Sequence, residues 1–210
     1  MTAALKTDIA PSVEGETASV LSRILDPSTS LAIWRRALSR SLQDAAVDGC
    51  ASVLQHASAF HSFGQTEVDC FYDALTRDAG ASITPIAEDL VALAKVFADI
   101  CGAVPVRVRV ETIADNGCRR FHFDNVAMRL VVTYRGPGTQ WVPPEFAANA
   151  YAQQTEYNGP INEIRTGDVA LFRGRRSSVV GMTLHRSPPL LKNAPPRLIG
   201  VIDYEGREIR

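Results

Sequence analysis

The chain has 210 residues, enough for one large domain with its own hydrophobic core. Its 22 lysine and arginine residues and 23 aspartate and glutamate residues give a net charge of −1, so the composition does not indicate nucleic-acid binding. No apolar run approaches the roughly 18 residues that a membrane-spanning helix needs, and the first residues lack the apolar core of a signal peptide. We therefore expect a cytoplasmic protein with no membrane partner.

The cysteine pattern does not indicate a zinc site. Four cysteines lie at positions 50, 70, 101 and 118, and there is no Cys-x-x-Cys motif. Free and largely buried thiols are expected in a reducing compartment. Cys118 lies shortly before His122, and we expect it to pack in the interior rather than to line a site.

The N-terminal part is predicted to be helical. Residues 1–18 are polar and small and predict a flexible tail, while residues 19–210 predict a single domain. The segment 26–30 is typical of a helix start, and apolar residues at 31, 34, 38 and 42 recur at helical spacing. We therefore predict a first helix from about residue 31 that ends at Gly49.

Two further helices are predicted before residue 103. The first runs from Thr66 to Asp78 and carries its apolar residues on one side. The second has Pro85 near its first turn and Gly102 as its natural end. Together these segments predict a helical part over residues 19–103.

Residues 104–210 are predicted to form a β core. Apolar and charged residues alternate from Val106 to Ile113, which predicts a strand with one solvated face. Residues 143–160 predict a long loop with one helical turn near 145–150, and Arg173 to Arg176 predict a solvated hairpin tip. Further strands are predicted at Val169–Phe172, Val179–Leu184 and Arg197–Tyr204.

Three side chains in the β core are candidate metal ligands. His122 and Asp124 are two residues apart, so on an extended chain both point to one face. His185 lies on a distant predicted strand and completes a set of two histidines and one carboxylate, the composition of a facial triad that holds Fe(II). We predict that the three side chains converge on one point, although Asp124 could instead cap a turn.

Other residues near this set are candidate binding residues. Arg197 begins the last strand, and a buried guanidinium there could grip the carboxylate of a 2-oxoacid through two parallel hydrogen bonds. Asn125, Arg129 and Trp141 are candidate substrate-binding residues. Arg129 could equally pair with an acidic residue, and packing is the favoured role of Trp141.

The order of these motifs resembles the Fe(II)/2-oxoglutarate-dependent oxygenases. The motifs are His122-x-Asp124, Gly167-Asp168-Val-Ala-Leu-Phe172, His185-Arg186-Ser187-Pro188 and Pro196-Arg197. The resemblance implies an α+β protein with a double-stranded β-helix core, of the jelly-roll or cupin type, and N-terminal helices packed on the outside. It also implies Fe(II) bound by His122, Asp124 and His185, with 2-oxoglutarate anchored by Arg197.

A closer resemblance links the chain to the bacterial DUF1826 family. It rests on Cys118 to Asn125, Arg129-Leu130 and Thr133 to Trp141, and it covers most of the chain from about residue 30. One position departs from many of the oxygenases, which carry Ser or Thr two residues after the anchoring arginine. Ile199 stands there, so either another side chain supplies the hydrogen bond, with Tyr134, Thr183 and Thr133 as candidates, or the co-substrate is a different molecule.

Two classes of function follow from this pattern. The first is a dioxygenase that binds 2-oxoglutarate as a small-molecule co-substrate and oxidises an unknown substrate. The second is a non-catalytic metal-binding or sensing protein, since imidazole and carboxylate ligands also accept zinc. A metal-free binding module would instead leave His122 and His185 apart in space.

Overall fold

The computed structural model describes residues 12–55, 61–63, 68–102, 106–114, 118–177, 179, 181–191 and 194–206. These residues form an α+β fold with two β-sheets, one of seven strands and one of three. Helices pack on one face of the larger sheet, while residues of the smaller sheet pack on its other face. The larger sheet therefore separates two cores.

The first two strands lie in segments predicted to be a tail and a helix. β1 (Ser12–Gly15) pairs in parallel with β2 (Leu31–Trp34), and a 3-10 helix (Ala18–Leu25) lies between them in sequence. The flexible tail predicted over residues 1–18 is therefore wrong from Ser12 onward, because backbone pairing with β2 holds this segment in the sheet. Residues 1–11 lie outside the described residues.

The helix predicted from residue 31 is wrong over β2. Strands pair with β2 on both sides, and both of its faces are buried. Ala32 packs in the helix-side core, whereas Leu31 and Ile33 pack in the core between the sheets. A segment that is apolar on every side suits a central strand as well as a helix, so helical spacing did not discriminate between them.

The first helix is displaced toward the C-terminus relative to its prediction. α1 (Arg40–Gln55) continues through Gly49, the residue predicted to end it. A Cβ atom at position 49 would clash with the side chain of Ile83. Glycine therefore serves close packing at this position rather than helix termination.

The other two predicted helices are confirmed. α2 (Val68–Ala79) and α3 (Thr84–Cys101) lie where the apolar periodicity placed them. α3 begins with Pro85 and ends at Gly102, whose φ of 56° is the left-handed conformation expected after a helix C-terminus. The buried side of α3 forms much of the helix-side core.

The remaining elements are, in chain order, β3 (His61–Phe63), β4 (Val106–Ile113), β5 (Met128–Arg135), β6 (Gln140–Trp141), α4 (Ala147–Gln153), β7 (Asn162–Glu163), β8 (Val169–Arg173), β9 (His185–Arg186) and β10 (Arg197–Tyr204). The larger sheet has the strand order β1-β2-β8-β5-β10-β4-β3, and the smaller sheet has the order β7-β6-β9. The predicted division at residue 103 into a helical part and a β core is not strict. Strands β2 and β3 precede residue 103 and join the larger sheet, and helix α4 follows it.

Three of the strands predicted in the second part are confirmed, namely β4, β8 and β10. The strand predicted over Val179–Leu184 is wrong for residues 181–184, and β9 contains two residues only. The predicted loop over 143–160 has more helix than expected, because short 3-10 helices (Pro144–Phe146 and Gln154–Glu156) flank α4.

Alternation along the central strands determines which residues face the space between the sheets. On β5, Leu130 and Val132 pack against the helices, whereas Val131 packs in the other core. On β10, Leu198 faces the helices and Ile199 faces the other way. Residues of the same parity as Val131 and Ile199 therefore point between the two sheets.

Candidate metal centre

The three candidate ligands meet beside β9. His122 and His185 form an antiparallel bridge, in which the His122 N–H donates to the His185 carbonyl at 2.9 Å and the His185 N–H donates to the His122 carbonyl at 3.1 Å. Asp124 follows two residues later, so its side chain is directed to the same side as that of His122. The ligand atoms of all three residues lie within 4.8 Å of one another, which confirms the predicted convergence.

Asp124 lies between the two imidazoles. Its Oδ2 atom is 3.2 Å from Nε2 of His185, and its Oδ1 atom is 3.9 Å from Nε2 of His122. The side chains of Asp124 and His185 are buried, whereas that of His122 is 36% exposed. Solvent therefore reaches the cluster on the His122 side. The Phe172 ring, with its centroid 4.5 Å from that of His185, covers the buried side.

Both imidazoles are oriented by backbone carbonyl groups. Nδ1 of His122 lies 2.8 Å from the carbonyl oxygen of Arg120, and Nδ1 of His185 lies 3.0 Å from that of Thr183. A carbonyl oxygen only accepts hydrogen bonds, so each Nδ1 carries the proton and donates. In the neutral ring, Nε2 then has a free lone pair directed at the cluster, the arrangement that metal-binding histidines require.

Burial and local charge keep His122 and Asp124 in metal-binding protonation states. Burial and the neighbouring His185 lower the pKa of His122 below its ordinary value, so this imidazole is neutral near pH 7. Burial opposes ionisation of Asp124, but its contact with His185 and the positive charge of Arg129 outweigh that effect and lower its pKa to about 2. Neutral imidazole and ionised carboxylate are the forms that coordinate divalent metals.

The residues of the cluster fit a metal ion. Oδ2 of Asp124 is buried and accepts no hydrogen bond from the described part of the protein. The lone pairs of this atom and of Nε2 of a neutral His185 face each other at 3.2 Å, which is unfavourable unless a cation or a proton lies between them. A divalent cation would satisfy both atoms at once, and two imidazoles with one carboxylate suit iron or zinc.

Arg129 lies behind the carboxylate of Asp124. Its Nη1 atom contacts Oδ1 of Asp124, while Nε and Nη2 donate to the two carboxylate oxygens of Asp203 at 2.6 and 2.9 Å. Asp203 also contacts Arg109, which pairs with Glu111 at 2.5 Å. Of the two roles that the sequence left open for Arg129, the structure therefore shows pairing with acidic residues.

Arg197 lies two residues before Ile199 on β10, so its side chain points to the same face of the strand, between the two sheets. It is fully buried, and its Nε atom donates to the Pro137 carbonyl at 2.7 Å. Its Nη1 and Nη2 atoms have no acceptor among the described residues. Burial, partly opposed by the negative charge of Glu163, lowers the pKa of Arg197 to about 10, so the side chain remains charged at neutral pH.

Two candidate hydroxyl groups are engaged by protein groups. The prediction that Tyr134 binds the co-substrate is wrong, because Tyr134 packs in the helix-side core and its hydroxyl donates to Oδ2 of Asp89 at 2.7 Å. Thr183 is buried two residues before His185, but its hydroxyl is hydrogen-bonded to that of Ser30 at 2.8 Å. Thr133 is also buried, and it pairs in register with Ile199.

The remaining candidates divide between surface and interior. Asn125 is exposed, and its role in substrate binding stays a prediction. Trp141 is buried in the core between the sheets and pairs in register with His185. Cys118 is exposed, so its predicted packing role is wrong.

The hairpin tip predicted at Arg173 to Arg176 is only partly exposed. The prediction is wrong for Arg173, whose buried guanidinium donates through Nη2 to the carbonyl groups of Ile24 and Asp26 at 2.5 and 3.0 Å. These carbonyls end the N-terminal 3-10 helix, so the side chain ties that helix to β8. Arg175 and Arg176 are exposed as predicted.

Sequence reasoning missed Asp203, Ser30 and Phe172 as neighbours of the site. Asp203 and Arg197 are an even number of residues apart on β10, so their side chains point to the same face. The alternation of side chains along a strand could therefore have predicted that Asp203 lies between the sheets. No local sequence signal connects Ser30 or Phe172 with the histidines, since both are brought there by the order of strands in the larger sheet.

Among the described residues, no helix has both the length and the apolar character that crossing a membrane requires.

The chain is similar in fold to solved structures, among them the following three, each with a TM-score of 0.51. A prolyl-4-hydroxylase from Pseudomonas putida is 14% identical, and the match covers 96% of this chain and 100% of that one. A bsmA homolog from Methylobium petroleophilum is 16% identical, with 96% of each chain covered. AviO1 from Streptomyces viridochromogenes is 14% identical, with 88% of this chain and 93% of that one covered.

Comparison with curated proteins gives no match. In contrast, the family model described as protein of unknown function DUF1826 matches residues 15–203, which is most of the chain. The protein therefore belongs to the DUF1826 family.

Proposed function

We propose that this protein is an Fe(II)- and 2-oxoglutarate-dependent dioxygenase. The observation that carries the proposal is the arrangement of His122, Asp124 and His185. Their ligand atoms lie within 4.8 Å of one another, and both imidazoles bond through Nδ1 to backbone carbonyl groups and direct Nε2 at the cluster. Two histidines and one carboxylate on one face of a metal leave coordination positions open for a co-substrate and O₂.

We also infer that the two sheets form a double-stranded β-helix. The order of the central strands, β8-β5-β10-β4 in one sheet and β7-β6-β9 in the other, supports this inference, as does the buried core between the sheets. The bridge between His122 and His185 adds the segment before β5 to the edge of the smaller sheet. The likeness to the prolyl-4-hydroxylase supports the same architecture.

Each group around the cluster has a role in this proposal. Iron held by His122, Asp124 and His185 would supply the redox chemistry with O₂. Arg129 holds one oxygen of Asp124, which leaves the other for the metal. Phe172 covers His185 and keeps water from the buried side of the site.

Arg197 is proposed to anchor 2-oxoglutarate. Its Nη1 and Nη2 atoms are buried and have no acceptor among the described residues, and a guanidinium pairs with a carboxylate through two parallel hydrogen bonds. A dicarboxylate that binds the metal through its oxoacid end has a second carboxylate free for this contact. The co-substrate would thus satisfy the donors that the protein leaves unpaired.

The alternative is a zinc-binding or sensing protein without turnover. The same three ligands accept zinc. Arg197 favours the dioxygenase, because a zinc site by itself does not require a buried cation whose N–H groups point into the interior.

The proposal is tested with protein purified under anaerobic conditions. Addition of Fe(II) and 2-oxoglutarate should produce a weak visible charge-transfer band, and admission of O₂ should yield succinate even without substrate. Asp124→Ala should abolish both signals, and Arg197→Ala should shift the band to higher 2-oxoglutarate concentration. Absence of both the band and succinate formation in the wild-type protein would contradict the proposal. The zinc-binding alternative would then be favoured, and 2-oxoglutarate should have the same effect on the wild type and on Arg197→Ala.

A further inference from the structure

Trp141 combines deep burial with an unsatisfied polar group. Its side chain packs in the core between the sheets and is 6% exposed, yet its Nε1–H has no acceptor among the described residues. Buried indole N–H groups ordinarily find a partner, because burying an unpaired donor is unfavourable. The other tryptophan, Trp34, follows this rule, since its Nε1 donates to the Glu16 carbonyl at 3.2 Å.

Trp141 lies beside the proposed metal centre. It pairs in register with His185 across β6 and β9, and in-register side chains of antiparallel strands lie on the same face about 5 Å apart at Cβ. The indole is therefore a neighbour of a metal ligand on the wall that faces the interior. The adjacent residue, Gln140, instead accepts a hydrogen bond from Arg186 at 2.9 Å.

The segment that leads into Trp141 contacts Arg197. The carbonyl group that accepts from Arg197 belongs to Pro137, in the turn just before β6. Ile199, two residues after Arg197, packs in the same buried cluster as Trp141. Unpaired N–H donors of an indole and a guanidinium thus face the same interior, and a ligand rich in acceptor atoms would satisfy both.

Few protein hydroxyl groups are available to assist Arg197. Ile199 occupies the position two residues after it, Tyr134 donates to Asp89, and the Thr183 hydroxyl is bonded to Ser30. Thr133 is the other candidate on the interior face, since it pairs in register with Ile199.

We propose that the indole N–H of Trp141 donates a hydrogen bond to the 2-oxo dicarboxylate held by Arg197, in the place of a hydroxyl-bearing side chain. The inference rests on the proposed function, because it assigns a further residue to the same co-substrate. It makes Trp141 a binding residue for the co-substrate rather than a packing residue or a contact to the oxidised substrate.

The test uses the full chain loaded with Zn(II), which is diamagnetic and supports no turnover. The protein has two tryptophans, so ¹⁵N-tryptophan labelling gives two indole N–H resonances, which Trp34→Phe and Trp141→Phe assign. Titration with 2-oxoglutarate should move the Trp141 resonance downfield at the proton and leave the Trp34 resonance in place. Zn(II) alone provides the reference spectrum.

Affinity provides a second measurement. Trp141→Phe keeps an aromatic ring but removes the donor, and it should weaken 2-oxoglutarate binding about ten- to hundredfold, as expected for a hydrogen bond to a charged group. Trp34→Phe is the matched control and should bind like the wild type. If Trp141→Phe does not fold, the shift of the indole resonance in the wild-type protein decides the question.

The outcomes separate this inference from the proposed function. Absence of 2-oxoglutarate binding to the wild-type protein would overturn both. Binding that Arg197→Met abolishes, with an unmoved Trp141 resonance and unchanged affinity in Trp141→Phe, would overturn only the role of Trp141. A loss of affinity in Thr133→Val but not in Trp141→Phe would assign the additional donor to Thr133 instead.

Discussion

The carboxylate of Asp124 has two different environments, one for each oxygen. Oδ1 contacts Arg129, while Oδ2 faces His185 at 3.2 Å. Arg129 is itself held by both oxygens of Asp203, so the orientation of a proposed metal ligand depends on a residue of the last strand. Such supporting contacts orient ligands and tune metal affinity.

Asp203→Asn should weaken metal binding about 10- to 100-fold. The substitution removes the negative charge that compensates Arg129, so the site becomes more positive and Arg129 is held less firmly. Calorimetric titration of the metal-free protein with Zn(II) measures the effect. Asp44→Asn, which changes the net charge equally at an exposed position, should leave the affinity unchanged. Equal affinities in the wild type and Asp203→Asn would exclude a role for this contact.

Tyr134→Phe should leave 2-oxoglutarate affinity unchanged, because the Tyr134 hydroxyl donates to Asp89 on the helix side of the larger sheet. It should lower the free energy of unfolding by about 1–2 kcal/mol, since Asp89 loses one buried donor but keeps its two hydrogen bonds from Arg36. Urea unfolding and a binding titration on the same variant measure the two effects. A large loss of 2-oxoglutarate affinity with an unchanged free energy of unfolding would show instead that Tyr134 binds the co-substrate.

At the level of elements, the turn before β8 joins the N-terminal strands to the central sheet. Asp168 accepts from the Arg36 N–H at 3.1 Å, from Arg35 Nη1 at 2.5 Å and from the Arg165 N–H at 3.2 Å. Burial opposes ionisation of Asp168, but the contacts with Arg165, Arg35 and the Arg36 N–H outweigh it and lower its pKa below the ordinary 3.8. The turn therefore depends on a charged aspartate.

Asp168→Asn should destabilise the protein by about 2 kcal/mol at pH 7, because the partly buried Arg35 side chain and the Arg36 N–H lose a charged, buried acceptor. The pKa of Asp168 is lower in the folded than in the unfolded protein, so its stabilisation is fully present above pH 3.8 and is lost as the pH falls through the folded-state value. The difference between wild type and variant in urea unfolding should therefore shrink from pH 7 to pH 3.

Arg165→Ala is the matched control for this turn, because the Arg165 side chain is 67% exposed. Exposed ion pairs contribute less than about 1 kcal/mol, so its effect at pH 7 should be clearly smaller than that of Asp168→Asn. A pH-independent effect of Asp168→Asn would show that the side chain acts through packing and not through its charge.

At the level of the whole molecule, the proposed metal centre joins segments that are far apart in sequence. His122 and Asp124 precede β5, whereas His185 lies in β9, and the three meet only in the folded chain. Zn(II) at 100 times its Kd should therefore raise the free energy of unfolding by about 2.7 kcal/mol, because the metal binds the folded state. Thermal unfolding with and without a chelator measures this shift, and in Asp124→Ala the shift should be absent.

Prediction from sequence succeeded for local patterns. Helices α2 and α3 and strands β4, β8 and β10 follow from apolar periodicity together with proline and glycine at their ends. It failed for β2, where residues 31–34 satisfy helical spacing, because strand pairing on both sides overrides local propensity. The prediction that Gly49 ends the first helix also failed, because glycine is needed there for close packing against the side chain of Ile83, which is distant in sequence.

In the candidate site, too, the local features could be predicted from the sequence, whereas the contacts between distant segments could not. His122, Asp124, His185 and Arg197 could be proposed from sequence, because ligand chemistry belongs to the residue type and the His-x-Asp spacing places two ligands on one side of an extended chain. The sequence by itself also determined their order along the chain, which carries the family resemblance.

Only the tertiary structure decided which partners these residues have. In the folded chain Tyr134 donates to Asp89, and Arg129 donates to Asp203. The indole N–H of Trp141 and the Nη1 and Nη2 groups of Arg197 have no acceptors among the described residues. Hydrogen-bond satisfaction depends on contacts between segments that are distant in sequence, and strand order and register establish those contacts. The sequence therefore specifies the reactive groups, while the fold determines which of them remain free to bind a ligand.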